Sequence, residues 1–157
     1  MSAVKSVLLA IDVATRKRDQ AGQGLTYVQN AHLFAQDQMT QLAVYAAETE
    51  SKWAAAAQTG TTPELMRHHC QFMDRLHHAI GLQSGVLENA SRKVEVAKRL
   101  ALDAEFRLTS LKQVLKKKQA DIAVVQTRRE QKQMDEFASL RSRQLTDAHF
   151  SGEHHEH

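Results

Sequence analysis

From Val86 to Ser151 the chain holds neither glycine nor proline, so nothing in its covalent structure tells a helix running through that stretch to stop. Within it Leu87, Ala90, Val94, Ala97, Ala101, Ala104, Leu108, Leu111, Leu115, Lys118, Ile122 and Val125 recur at alternating steps of three and four. That alternation is the heptad period, which lays a seam along one side of a rod. A lone helix cannot cover its own seam. A partner helix is required, and the first place to find one is upstream in the same chain.

The upstream half carries a matching signal. Val4, Leu8, Ile11, Thr15, Arg18, Gly22 and Leu25 step by four and three, and Val28, His32, Ala35, Met39, Leu42, Ala46, Thr49, Trp53 and Ala56 continue in a shifted phase. The shift near Gly22, Gly24 and Leu25 reads as a stammer, with a soft or overwound point there. Between the halves, Thr59-Gly60-Thr61-Thr62-Pro63-Glu64 is a turn. Gly60 suits the left-handed residue that closes a helix, Thr61 or Thr62 suits the cap of the next, and Pro63 suits a first helical position where a missing N–H costs nothing. Thr61 and Glu64 also have capping-box spacing.

The expected fold is all-α: two long helices in an antiparallel coiled-coil hairpin with a C-terminal helical overhang. The expected organisation is a single domain over 1–157, with helix 1 at about 3–58, a turn at 59–62, helix 2 at about 63–148 and a flexible His-rich tail at 149–157. Pairing about the turn joins residues whose numbers sum to about 122, which leaves roughly 30 residues of helix 2, or ~45 Å at ~1.5 Å per residue, without a mate in the chain. That overhang, Ile122 to Phe150, has its own apolar marks at Ile122, Val125, Met134, Phe137 and Leu140. An amphipathic rod with nothing to cover it is a docking element or a frayed end.

Composition agrees with an extended core. Aromatic residues are only 5% of the chain, and Trp53, Tyr27 and Tyr45 all lie upstream of the turn, so the core should be a stripe and not a ball. Formal net charge is +3, and the excess gathers between Lys112 and Arg143, where Asp121, Glu130, Asp135 and Glu136 interrupt it. Such an end suits an acidic partner, a nucleic acid or a membrane face, or is a solvated helix face. Cys70 is the only cysteine, which excludes an intrachain disulfide and favours a reducing compartment. Val7 to Ile11 is too short and wrongly flanked for a signal peptide, and no stretch approaches the ~20 apolar residues of a membrane span. The expectation is a soluble, cytoplasmic protein.

Just after the turn, helix 2 carries two apolar stripes. Leu65, His69, Phe72, Leu76, Ala79 and Gln83 form one; Met66, Cys70, Met73, His77, Ile80, Ser84 and Leu87 form the other. One stripe suffices to face helix 1, so the second is a wide core flank or a binding surface.

No chemistry-bearing constellation emerges. Gly22-Gln23-Gly24 lacks the third glycine and the preceding strand of a phosphate-cradling loop. His68-His69 and His77-His78 have no carboxylate pair or Cys/His group at ligand spacing beside them and read as helix-surface histidines, and the tail histidines His149, His154, His155 and His157 suit at most a loose divalent ion. Asp135 and Glu136 are adjacent, hence about 100° apart around a helix, a poor arrangement for paired acid and base work. No catalytic, cofactor-binding or metal residue is expected, and no cofactor.

At Gln131-Lys132-Gln133-Met134-Asp135-Glu136-Phe137-Ala138 the string Gln-Lys-x-Met-Asp-Glu-Phe-Ala, late in a two-helix chain of this length, resembles the FliJ family of the bacterial flagellar type III export apparatus. Leu42, Tyr45, Gln71-Phe72, Leu76 and Ala79-Ile80 follow that family's pattern in the same order. The resemblance implies a non-enzymatic central stalk, similar to the antiparallel coiled coil of a rotary-ATPase gamma subunit, that inserts its joined-termini end into a hexamer of the export ATPase FliI, links it to the export gate protein FlhA and escorts substrate chaperones. It implies a location in the cytoplasm, peripheral to the inner membrane at the flagellar base. Carried over by residue, the gate contact falls on Phe72, Leu76, Ala79 and Gln83, which leaves the Met66, Met73, Ile80 stripe to face helix 1. The ATPase-directed motif falls on Gln131, Lys132, Met134, Asp135, Glu136, Phe137 and Ala138. Thr49 stands where the family often has a second tyrosine, and the histidine-rich tail is outside its pattern. The rival readings are the equivalent stalk of a virulence-type secretion system and a basic nucleic-acid-binding coiled coil; the second lacks stacking aromatics along its basic face.

Overall fold

The computed structural model describes residues 2–153. It contains two helices, α1 at Ala3–Gln58 and α2 at Pro63–Glu153. The only proline in the chain, Pro63, is the first residue of α2, where its fixed φ favours the helix and its absent N–H leaves nothing unpaired.

The connection is built from local hydrogen bonds. The Thr59 hydroxyl donates to the Ala56 carbonyl at 2.7 Å and the Gly60 N–H to Ala57 O at 3.3 Å. Gly60 then takes φ +121°, a conformation that side-chain-bearing residues rarely adopt. Thr62, not Thr61, caps α2: its hydroxyl accepts from the Leu65 N–H at 3.2 Å and its carbonyl from the Met66 N–H at 3.0 Å. The capping-box pairing of Thr61 with Glu64 is therefore replaced by a simple threonine cap, and Glu64 lies in the first turn, where its charge favours the helix N-terminus.

The chain divides into two compact units. In the first, Asp12–Leu108, α1 and α2 run antiparallel, and successive contacts keep one register: Trp53 stacks on His69, Gln83 bonds to the backbone of Ala35, and Arg18 meets Glu105. Burial follows unbroken steps of three and four. On α1 it runs through Ala14, Arg18, Ala21, Leu25, Val28, His32, Ala35, Met39, Leu42, Ala46, Thr49 and Trp53. On α2 it runs through His69, Met73, Leu76, Ile80, Gln83, Leu87, Ala90, Val94, Ala97, Ala101, Ala104 and Leu108. Alanine at many of these positions lets two helices approach to about 8 Å between axes. Ala46, Met73 and Leu76 form the buried cluster, with Leu42 and Ile80 packed against it.

Two expectations are corrected by this register. The stammer near Gly22 is absent: α1 is continuous through Gly22 and Gly24, both exposed, and the seam passes through Ala21 to Leu25 without a phase shift. Where the two differ, the seam takes the neighbour preceding the expected step: Val7 is half-buried while Leu8 is 48% exposed, Ala14 is buried beside a half-buried Thr15, and Ala21 is half-buried beside an exposed Gly22. The two stripes after the turn also do not separate into core and surface. The seam takes Met73 and Ile80 from one and Leu76 and Gln83 from the other, and Met66 is 50% exposed. Phe72 precedes the seam position Met73 by one residue and so lies at the edge of the cluster formed by Ala46, Met73 and Leu76.

In the second unit, Met1–Ile11 with Thr109–His157, Val4, Val7, Ala10 and Ile11 of α1 and Leu111, Leu115 and Lys118 of α2 are half-buried. Beyond Lys118 every residue through Ser151 is exposed. The helix continues through Glu153, into the segment expected to be a tail, because no breaker precedes Gly152. His154, His155 and His157 lie outside the described residues.

Candidate partner-binding surfaces

Two surfaces were marked by sequence, and they differ in how their residues are held. The first lies just after the turn. Leu76 is only 8% exposed and belongs to the buried cluster with Ala46 and Met73. Gln83 is half-buried; its amide donates to the Ala35 carbonyl at 3.0 Å and to the Gln38 side chain at 3.4 Å. Both residues are engaged with α1. Ala79 is half-buried, and Phe72 is 38% exposed. The Phe72 ring meets Tyr45 of α1 edge-on, with centroids 6.1 Å apart and planes at 83°, the arrangement the ring quadrupoles prefer. The accessible part of the four-residue set is thus Phe72 with Ala79, supported from beneath by Leu76 and held in register by Gln83. Tyr45 completes this surface, and its place follows from the heptad: it precedes Ala46 by one residue as Phe72 precedes Met73.

His69, read as a surface histidine, is half-buried, with its ring stacked on Trp53 at 4.4 Å and an interplanar angle of 7°. Nothing in the histidine spacing announced that contact; it follows only from the antiparallel register. Among the described residues no group of three His, Cys, Asp or Glu side chains is placed to hold a metal ion.

The second surface is the run Gln131–Ala138 on the uncovered part of α2. Met134 and Phe137 are 72% and 68% exposed and lie three residues apart, on one side of the helix. With Glu130, Gln133, Ala138 and Arg141 they line a shallow hollow. Lys132, Asp135 and Glu136 take part in none of the salt bridges among the described residues. An apolar pair flanked by unengaged charges of both signs is chemically suited to seating in another protein, the pair supplying burial and the charges orientation. No helix among the described residues is long and apolar enough to cross a membrane.

Comparison with known proteins agrees with this architecture. Neither the curated proteins nor the solved structures gave a match. The family model described as Flagellar FliJ protein matches residues 8–145, a span that takes in most of α1, the turn, and α2 through the Gln131–Ala138 string. The chain belongs to the FliJ family, a helical-hairpin component of flagellar type III protein export.

Proposed function

We propose that the chain is a non-catalytic stalk and adaptor that works in the cytoplasm at the flagellar base, peripheral to the inner membrane. It inserts into the ring of the export ATPase FliI, links that ring to the export gate protein FlhA and escorts substrate chaperones. The observation that carries this reading is the length of α2 from Gln119 to Ser151, on which every side chain is exposed although the helix bears Ile122, Val125, Met134, Phe137 and Leu140. Leaving that much apolar surface in water is costly unless another molecule covers it. Gln131, Lys132, Met134, Asp135, Glu136, Phe137 and Ala138 supply the contact with the ATPase, with Met134 and Phe137 as anchors. Phe72 and Ala79 supply the exposed part of the gate contact. The family match favours the flagellar machine over a virulence-type one.

The test is stimulation of ATP hydrolysis by the purified export ATPase. The wild-type chain raises the rate. Met134→Ala with Phe137→Ala leaves it at the basal level, with helicity and melting temperature unchanged because neither side chain contributes to a core. Full stimulation by the double variant would reject the role given to these residues.

A further inference from the structure

The uncovered length of α2 carries a heptad row of its own, distinct from the seam. Glu130, Met134, Phe137 and Arg141 follow one another at steps of four, three and four, and the alternation continues outward through Thr127 to Ala123 and through Gln144 to Ala148. These residues therefore share one side of the helix, and all of them are exposed. Read inward from either end, the row gives an alanine, an uncharged polar residue, a charge and a large apolar side chain. The two charges are opposite in sign. Neither Glu130 nor Arg141 has an opposite charge three or four residues away on α2, where a helix would pair it. Neither takes part in a salt bridge among the described residues.

Such a row complements itself when it is reversed. With two copies of α2 antiparallel about a two-fold axis midway between Asp135 and Glu136, Met134 of each copy comes level with Phe137 of the other, and Glu130 with Arg141. Gln133 comes level with Ala138, so the six residues that line the shallow hollow on this stretch match one another in three pairs. Farther out, Ala123 meets Ala148, and small residues there let the two helices lie close. Lys132, Asp135 and Glu136 fall on the rest of the helix circumference, so no like charges oppose each other within the row.

We propose that this row is the contact between two copies of the chain, which pair antiparallel through their overhangs as an isologous dimer. Charge complementarity selects a second copy as the occupant: the dimer closes two Glu130–Arg141 pairs, one on each side of a centre made of two Met134 and two Phe137 side chains. Met134 and Phe137 are 72% and 68% exposed, so at about 200 Å² apiece the four bury about 550 Å². The alanines and the stems of the charged residues bring the total to about 1,000 Å², the small end of specific contacts, for which a dissociation constant of about 10–100 µM is expected. The dimer covers the two side chains assigned above to the ATPase, so the second copy and the ATPase compete for them. That competition rests on the ATPase reading; the dimer itself does not.

Sedimentation equilibrium on the full chain alone, from about one to several hundred micromolar, tests the dimer. With no ATPase present, its failure is told apart from failure of the ATPase contact. The wild type shifts from monomer to dimer across the range. Glu130→Arg sets like charges against each other at both ends of the apolar centre and weakens the dimer at least about tenfold. Glu130→Arg combined with Arg141→Glu reverses both partners and restores the dimer to within about threefold of the wild type. Asp121→Arg makes the same change in net charge on another side of the helix and leaves the dimer as it was. Helicity is the same in all variants, since each replaced side chain is exposed. A chain that stays monomeric throughout, a double reversal that fails to restore the dimer, or equal weakening by Asp121→Arg and Glu130→Arg overturns the proposal.

Discussion

Leu76 and Phe72 lie four residues apart in a surface marked for one partner, yet the structure gives them different work, and a pair of alanine substitutions separates the two. Leu76 is 8% exposed and packed in the cluster of Ala46 and Met73. Truncation of a buried leucine costs about 2–5 kcal/mol, depending on how far the site can collapse. In a two-helix seam, with half-exposed neighbours able to move in, the lower end applies, about 2–3 kcal/mol. For a chain of this length that lowers the melting temperature by roughly 5–10 °C. Phe72 is 38% exposed and its distinctive contact is one edge-on pair with Tyr45, so Phe72→Ala costs about 1 kcal/mol and shifts melting by about 2–4 °C. Thermal denaturation followed by circular dichroism, beside binding to purified FlhA well below both midpoints, reads both effects. Phe72→Ala weakens binding in a chain that remains folded; Leu76→Ala, held folded by the low temperature, binds nearly as the wild type does. Equal stability losses would refute the division, as would a binding defect in folded Leu76→Ala as large as that of Phe72→Ala.

Thr62→Ala removes the α2 cap and should cost about 1 kcal/mol in thermal denaturation, whereas Thr61→Ala should leave the midpoint within error. Gly60→Ala forces a side chain into φ +121°, although nothing lies within 4 Å of the added carbon. It should therefore destabilise by about 1 kcal/mol through backbone strain alone. Ending the chain after Ala120 removes only exposed side chains among the described residues. Molar helicity should fall in proportion to the residues lost while the midpoint moves by less than about 3 °C, and a large drop would mean that the overhang stabilises the hairpin.

The parts of this fold legible in the sequence are those where the apolar pattern had no competitor. From Leu87 to Lys118 each seam position is an aliphatic or alanine ending in lysine, and each of those residues is buried or half-buried in the structure. Helix ends at the turn were equally plain, because a lone proline and a glycine can be placed there in few ways. Where two apolar residues adjoin, as at Val7-Leu8 or Phe72-Met73, hydrophobicity alone does not choose between them. The choice falls to the register with the facing helix, which buries Met73 and Leu76 with Ala46 and leaves Phe72 at the edge. For the same reason the edge contact of Tyr45 with Phe72 and the stack of Trp53 on His69 could not be read from either helix separately. The motif at Gln131–Ala138 was legible as a string, but its exposure became a finding only once the end of the covered seam was located at Lys118.

Lys118 occupies the last half-buried step of the seam on α2. An ammonium group keeps its hydration, so its methylene stem can lie over the apolar row while the amine reaches back to water. A lysine there covers the end of the apolar row with its stem while its amine stays in water, so the last half-buried step of the seam leaves no charge buried. The self-covered stretch thus closes, level with the start of α1, on a residue that needs water on one side, and each position after it through Ser151 faces solvent.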